Sequence, residues 1–365
     1  MMDNIGFNAV LGARGSSFQL VLNSIFHLDT SPGNIPWKFY TQLKNNPSIE
    51  SAAPFAVGDN YYGYRIIGTT TDWFSAYQDG ISFHKGKAFN PERGEAVLGA
   101  TVAHKMKLKL GDIIHPYHGL QFNRSHKHNT PYKVVGIMNT TNTPADRIVL
   151  IPIDGFFRME GHVLQGGGKT YTPQKGVSIP DKHKELSAVL LKIGNPMMGM
   201  ILDQTINRQG KVATLAFPIA KEVMLFYEKM GWILIILKGI AIITLIVSSL
   251  GLLAAISNTM NERRQEFAIL RALGAKRSFL LKALVSQTFF ITLGGIIFGF
   301  TVYAILMQAV NQWLKNEVGL HFSIFFSDSI FIYLPLCSLV LGILIGLIPA
   351  FKAYRTDISS TFQST

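Results

Sequence analysis

Three apolar runs crowd the last third of the chain, at residues 233–255, 283–310 and 330–353. At about 1.5 Å of rise per residue, a helix of about 20 residues crosses a roughly 30 Å hydrocarbon core. Each run is long enough. Only a helix satisfies its own backbone in lipid, so each run is expected to be a spanning helix. Three such runs within about 120 residues do not suit the core of a soluble protein. Composition agrees. Charged residues make up 15% of the chain and apolar ones 48%, against roughly 25% charged in a soluble domain. Mean hydropathy is +0.25.

The joints between the runs set an orientation. The joint at 261–282 holds Arg263, Arg264, Arg271, Lys276, Arg277 and Lys282 against Glu262 and Glu266. The joint at 311–328 holds Lys315 against Glu317 and Asp328, and the tail carries Lys352 and Arg355. By the positive-inside rule the 261–282 joint and the C-terminus are cytoplasmic. The region before the first run then lies outside. Residues 1–22 lack a basic stretch followed by an apolar core, and Asp3, Asn4, Asn8 and Arg14 interrupt them. They read as neither a signal peptide nor a spanning helix. An external domain needs export, so a further helix upstream of this chain is expected, and 1–25 reads as a remnant that follows it. The net charge of +12 gathers beside the apolar runs, which points to membrane lipid and away from nucleic acid.

Residues 26–225 are short, mixed and turn-rich. Runs at 64–68, 96–98, 133–137, 148–151, 186–193 and 212–217 read as strands bounded by turn residues. Segments 36–45, 100–107 and 196–208 read as helices. The expected fold is an α+β extracytoplasmic domain at 26–225, followed at 226–365 by an α-helical membrane module of three transmembrane helices.

Small residues recur four apart in each apolar run: Gly251 and Ala255, Gly295 and Gly299, Gly342 and Gly346. That spacing lays a flat stripe on one helix face and favours close helix packing, within the bundle or across a dimer. Lys238 lies inside the first run, and its stem is expected to snorkel to the outer interface. Cys337 sits in an apolar run and reads as a small buried hydrophobe.

The joint is the most specific feature. At 258–273 an amphipathic helix is expected at the membrane surface. Phe267, Leu270 and Leu273 fall three apart, Ala268 and Ala272 add a small face, and Glu262, Arg263, Gln265 and Glu266 take the other side. Gly274 is placed to stop it.

The stretch ERRQEFAILRALGAKR at 262–277, before a Gly-rich spanning run, resembles the FtsX-like permease family, which includes the MacB-type and LolC/LolE-type ABC transporters. The closing GLIPAFKAYR at 346–355 is similar to that family's last motif. EAVLGATVAHKMKLKLGD at 95–112 resembles a segment of the MacB-type periplasmic core domain. VLGARGSSFQL at 10–20 resembles the stretch after the first membrane helix of stand-alone permeases. The resemblance implies a bacterial inner-membrane permease subunit with a large periplasmic domain. Its partners would be a separate ABC ATPase that binds ATP, a second permease copy or paralogue, and a periplasmic adaptor. It also implies that Glu262, Arg263, Glu266, Phe267, Leu270, Arg271, Gly274, Ala275 and Lys276 carry the contact with the ATPase. Motion driven by ATP would then reach the periplasmic domain and move a lipoprotein, a lipophilic compound or a peptide. Two other readings stay open: a regulator of a cell-wall hydrolase, as in FtsX itself, and a membrane-anchored binding domain without an ATPase.

Other motifs fail. Gly166-Gly-Gly-Lys169-Thr170 mimics a phosphate loop, but Val163 stands where the first glycine belongs. No nucleophile–base pair stands out, so no catalytic residue, cofactor or enzymatic activity is expected. His104, His115, His118, His126 and His128 crowd one region. Without placed carboxylates or cysteines they read as solvated loop residues, and no metal site is expected.

Overall fold

In the computed structural model of the chain, residues 5–317 and 329–355 are described, apart from 78, 79, 121, 160, 161, 163, 165–167, 169 and 175. The chain divides into two units, with the principal boundary in the sequence after Lys229.

The first unit opens with β1 (Ala9–Ala13), α1 (Ser17–Ser24), β2 (Ile35–Pro36), α2 (Lys38–Lys44), β3 (Ile49–Tyr61) and β4 (Tyr64–Thr69). It continues with α3 (Asp72–Ser75), β5 (Phe83–Gly86), β6 (Glu95–Leu98), α4 (Ala100–Met106), β7 (Ile113–Ile114) and β8 (Tyr117–His118). It closes with β9 (Tyr132–Met138), β10 (Ile148–Pro152), α5 (Ile153–Phe157), β11 (Glu185–Leu186), β12 (Ala188–Ile193), α6 (Pro196–Asp203), β13 (Ala213–Ala216) and α7 (Ile219–Lys229).

Eleven of these strands form one mixed sheet in the order β13-β1-β12-β3-β4-β10-β6-β9-β5, with β7 on β9 and β8 on β3. Successive strand residues point to opposite faces, and here both faces are covered. Ala9 and Leu11 join one apolar cluster while Val10 joins the other. Ile66 and Ile67 divide in the same way. Double coverage explains strands that are apolar throughout, such as Ile148–Pro152.

Residues 5–25 fold with this domain and do not stand apart from it. β1 pairs with β12 on one side and β13 on the other. Helix α1 begins at Ser16, whose hydroxyl accepts from the Gln19 amide. Its Leu20 lies against Gly12, where any Cβ would meet the Leu20 side chain.

Strand β3 organises the sheet. Its first half pairs with β12, and its second half with β4 and β8. A bulge between Val57 and Asp59 re-aims the strand. The β3–β4 hairpin turns through Tyr62 and Gly63, both at positive φ, as a two-residue loop of the primed type requires. The Asn60 side chain accepts from the Gly63 amide and fixes that turn.

The second unit contains α8 (Gly231–Glu262), α9 (Arg264–Ala272), α10 (Arg277–Glu317) and α11 (Ile330–Arg355). Spans of 32, 34 and 20 residues within α8, α10 and α11 are long and apolar enough to cross a membrane. Their faces expose Ile235, Phe298 and Ile332, which suits hydrocarbon as the surrounding medium. Cys337 is exposed on α11, and not buried as the sequence suggested, because its apolar neighbours also face outward.

Candidate functional site

The 258–282 joint is not one helix. Helix α8 runs on through Glu262, and Asn258 donates to the Glu262 carboxylate one turn below. The backbone breaks at Arg263 (φ −95°, ψ 12°). Helix α9 then covers nine residues and ends in a Gly274 at φ +94°. The Ala275 amide closes on the Leu270 carbonyl, the six-to-one bond that a left-handed glycine stop makes available. Gly274 therefore fixes the angle at which the chain turns toward α10.

Around that turn Leu270, Leu273, Ala275, Lys276, Phe279 and Lys282 line an open cleft. Ala268 is buried and Phe267 half-buried. Leu270 and Leu273 are exposed, Leu273 by 80%. Glu262, Arg263, Glu266 and Lys276 are exposed as well. Of the expected coupling residues, Leu270, Gly274, Ala275 and Lys276 line this cleft, while Glu262, Arg263, Glu266 and Phe267 lie outside its lining. The side chain of Arg271 lies outside the described ones.

The glycine stripes divide. A Cβ on Gly342 would meet Thr292, and one on Gly346 would meet Thr288, so α11 rests its small face directly on α10. Gly251, Gly295 and Gly299 have no atom within 4 Å of an added Cβ, and Ala255 is exposed. Gly295 and Gly299 instead line an apolar groove with Phe300, Tyr303, Phe331 and Leu334. The mock phosphate loop falls mostly outside the described residues.

The histidines behave differently from expectation. His104 and His126 are exposed, but His128 is only 6% exposed. It meets a carboxylate from far upstream: His128 Nε2 lies 3.2 Å from Asp59 Oδ1. His118 Nδ1 lies 3.3 Å from the same oxygen, and His162 Nε2 lies 3.0 Å from Asp59 Oδ2. The bulge in β3 aims Asp59 at this point, β8 pairs His118 directly opposite it, and the His128 amide donates to Pro116. Burial of Asp59 would raise its carboxyl pKa; the neighbouring His128 and His162 outweigh that and hold it below the usual range. The sequence concealed the group because its members lie at 59, 118, 128 and 162 and share no local spacing. The unusual local density of histidine was the one signal present.

The architecture is that of a multi-pass membrane protein with a large α/β domain ahead of three apolar spans and a structured joint between two of them. Two family profiles match it: the MacB-like periplasmic core domain over residues 8–185 and the FtsX-like permease C-terminal over residues 238–358. The chain thus carries a MacB-like periplasmic core domain followed by an FtsX-like permease domain, as an inner-membrane protein with a periplasmic domain.

Among curated relatives, an uncharacterized ABC transporter permease of Methanocaldococcus jannaschii is 27% identical over 277 residues, covering 73% of this chain and 61% of that protein. The macrolide export ATP-binding/permease protein MacB of Escherichia coli K12 is 24% identical over 335 residues, covering 86% of this chain and 47% of that protein. The chain thus spans about three-fifths or less of the curated relatives it matches. Among solved structures, the periplasmic region of MacB from Actinobacillus actinomycetemcomitans overlays with a TM-score of 0.38 at 11% identity, covering 61% of this chain and 95% of that one. The extracellular domain of the ABC-type transporter YknZ from Gram-positive bacteria overlays with a TM-score of 0.34 at 13% identity, covering 57% and 99%.

Proposed function

We propose that this permease is driven by a separate ABC ATPase that docks on the α9–Gly274–α10 socket, and that it passes the motion to its periplasmic domain. The exposure of Leu270, Leu273 and Phe279 beside Glu266 and Lys276 carries the proposal. A cytoplasmic joint that keeps apolar and charged groups open together suits a protein partner, since an apolar core with a charged rim is the usual anatomy of a binding patch. Chain continuity supports the second half of the reading. Helix α7 ends at Lys229 and α8 begins at Gly231, so Met230 alone separates them.

The chain itself needs no catalytic residue in this scheme, because ATP is bound by the partner. The open faces at Gly251, Ala255, Gly295 and Gly299 would take helices of a second permease copy or paralogue. The substrate would be a lipoprotein, a lipophilic compound or a peptide, handled by the periplasmic domain with or without an adaptor.

Purification of the chain in detergent with its co-expressed ATPase tests the docking site. Glu266→Lys or Leu273→Asp is expected to weaken retention of the ATPase by at least about tenfold, on the scale of a lost hot-spot contact. Retention equal to the parent in both variants would overturn the assignment of the socket.

A further inference from the structure

We infer that Asp59, His118, His128 and His162 form a binding site for one divalent transition-metal ion of the zinc class in the periplasmic domain. The inference is independent of the ATPase reading, because it rests on a different unit of the chain and a different chemistry.

Each of the four residues turns one ligand-type atom to the group, and those atoms all lie within 4.8 Å of one another. Three contacts are tighter, at 3.0, 3.2 and 3.3 Å from imidazole nitrogen to carboxylate oxygen. Ligand atoms around a tetrahedral zinc, each bonded at about 2.0–2.1 Å, stand ~3.3 Å from one another. The rings are spread accordingly. Their centroids form a near-equilateral triangle of 5.4, 5.5 and 5.5 Å, with interplanar angles of 64–89°. Three imidazoles stacked for packing alone would have no need of a common focus on one carboxylate.

The hydrogen-bond inventory points the same way. His162 Nδ1 lies 3.0 Å from the Phe156 carbonyl. A carbonyl only accepts, so that nitrogen carries the ring proton. Its Nε2 is the ligand-type atom and faces Asp59 Oδ2 at 3.0 Å. Asp59 is 0% exposed, and Oδ2 has no hydrogen-bond donor. A buried carboxylate oxygen without a donor needs a compensating positive charge, and a metal ion shared with the facing imidazole nitrogen would supply it. An imidazole that donates one nitrogen to a backbone carbonyl while the other faces the ion is the usual outer-shell arrangement of a metal-bound histidine.

The donor set selects the ion. Three imidazoles and one carboxylate favour zinc, copper or nickel over calcium or magnesium, which take oxygen ligands. Four protein ligands make a closed site of the structural kind. His118 is 55% exposed at its side chain and borders an open cleft with Gly119, Phe122 and Arg124, which gives the ion a route from solvent. Once bound, it would clip β8, the stretch around His128 and the stretch around His162 onto the bulge of β3.

The test uses the full-length chain in detergent, with any affinity tag removed and the protein stripped by chelator. Zinc chloride alone is the probe, followed by isothermal titration and elemental analysis after gel filtration. One zinc per chain and a melting temperature that rises with zinc are expected. His162→Gln and the more exposed His118→Gln should each weaken binding by at least about 100-fold. His104→Gln, outside the cluster, should bind like the parent. Circular dichroism of each variant reports whether it is folded. Cobalt in place of zinc should give the visible absorption of a four-coordinate site. Absence of stoichiometric zinc in the parent chain would overturn the inference. So would unchanged affinity in a folded His118→Gln variant.

Discussion

At the scale of single residues, the glycines and one histidine make separable predictions. Gly342 and Gly346 touch threonines of α10, whereas Gly299 touches nothing within 4 Å. Gly346→Val is therefore expected to cost about 1–3 kcal/mol through overpacking, and Gly299→Val to leave the isolated chain unchanged. Melting curves in detergent check the contrast, and equal shifts for both variants would contradict it. The sequence marked all three pairs alike, since spacing identifies a small face but not what the face meets. His27 is stacked on Phe55, and its Nδ1 is buried without a partner. Burial first, and then the Arg65 charge, push its pKa down to about 3. An unfolded chain would take up a proton there near pH 6.5. Whatever this neutral ring contributes is complete above about pH 6.5 and declines as pH falls toward 3. His27→Asn, which tolerates the positive φ at this position, should flatten the loss of stability between pH 7.5 and 5. An unaltered slope in denaturant titrations would count against it.

At the scale of elements, the legible parts were those with local periodicity. β4, β6, β9, β10 and β13 lie where short apolar runs predicted strands, and α2 and α4 fall within the predicted helical stretches. β1 escaped prediction because Asn8, Gly12 and Arg14 break the apolar pattern around it, although AVLGA is an ordinary buried strand. β3 was missed because its alanines and Pro54 weaken the strand signal; its pairing with three other strands supplies what local propensity does not. The sequence predicts one helix over 258–273, whereas α8 runs on to Glu262 and α9 begins at Arg264; nothing in the local sequence forbids a continuous helix there. The α7–α8 connection offers a test of force transmission. Two glycines inserted after Lys229 should leave retention of the ATPase unchanged and lower substrate-stimulated ATP hydrolysis by about tenfold or more. Unchanged stimulation would show that this connection carries no coupling.

At the scale of the whole molecule, three apolar spans and a basic joint gave class and orientation directly, because lipid imposes so few solutions. The histidine–aspartate cluster was illegible for the opposite reason. It is assembled by long-range strand pairing, and no window of sequence contains it. Orientation is open to direct measurement. In a Cys337→Ser background, a cysteine introduced at Ser278 should be shielded from an impermeant thiol reagent in intact cells, and one at exposed Gly168 should react. The reverse pattern would invert the assignment.

The central claim, that the 258–282 joint links this permease to an ATPase, is met most directly by ATP hydrolysis in nanodiscs holding both chains. The chain should alter the turnover of its ATPase, and Gly274→Pro, which abolishes the left-handed stop after α9, should remove most of that effect while the periplasmic domain stays folded. An ATPase whose turnover is the same with the parent chain, with Gly274→Pro and with no permease would contradict the account.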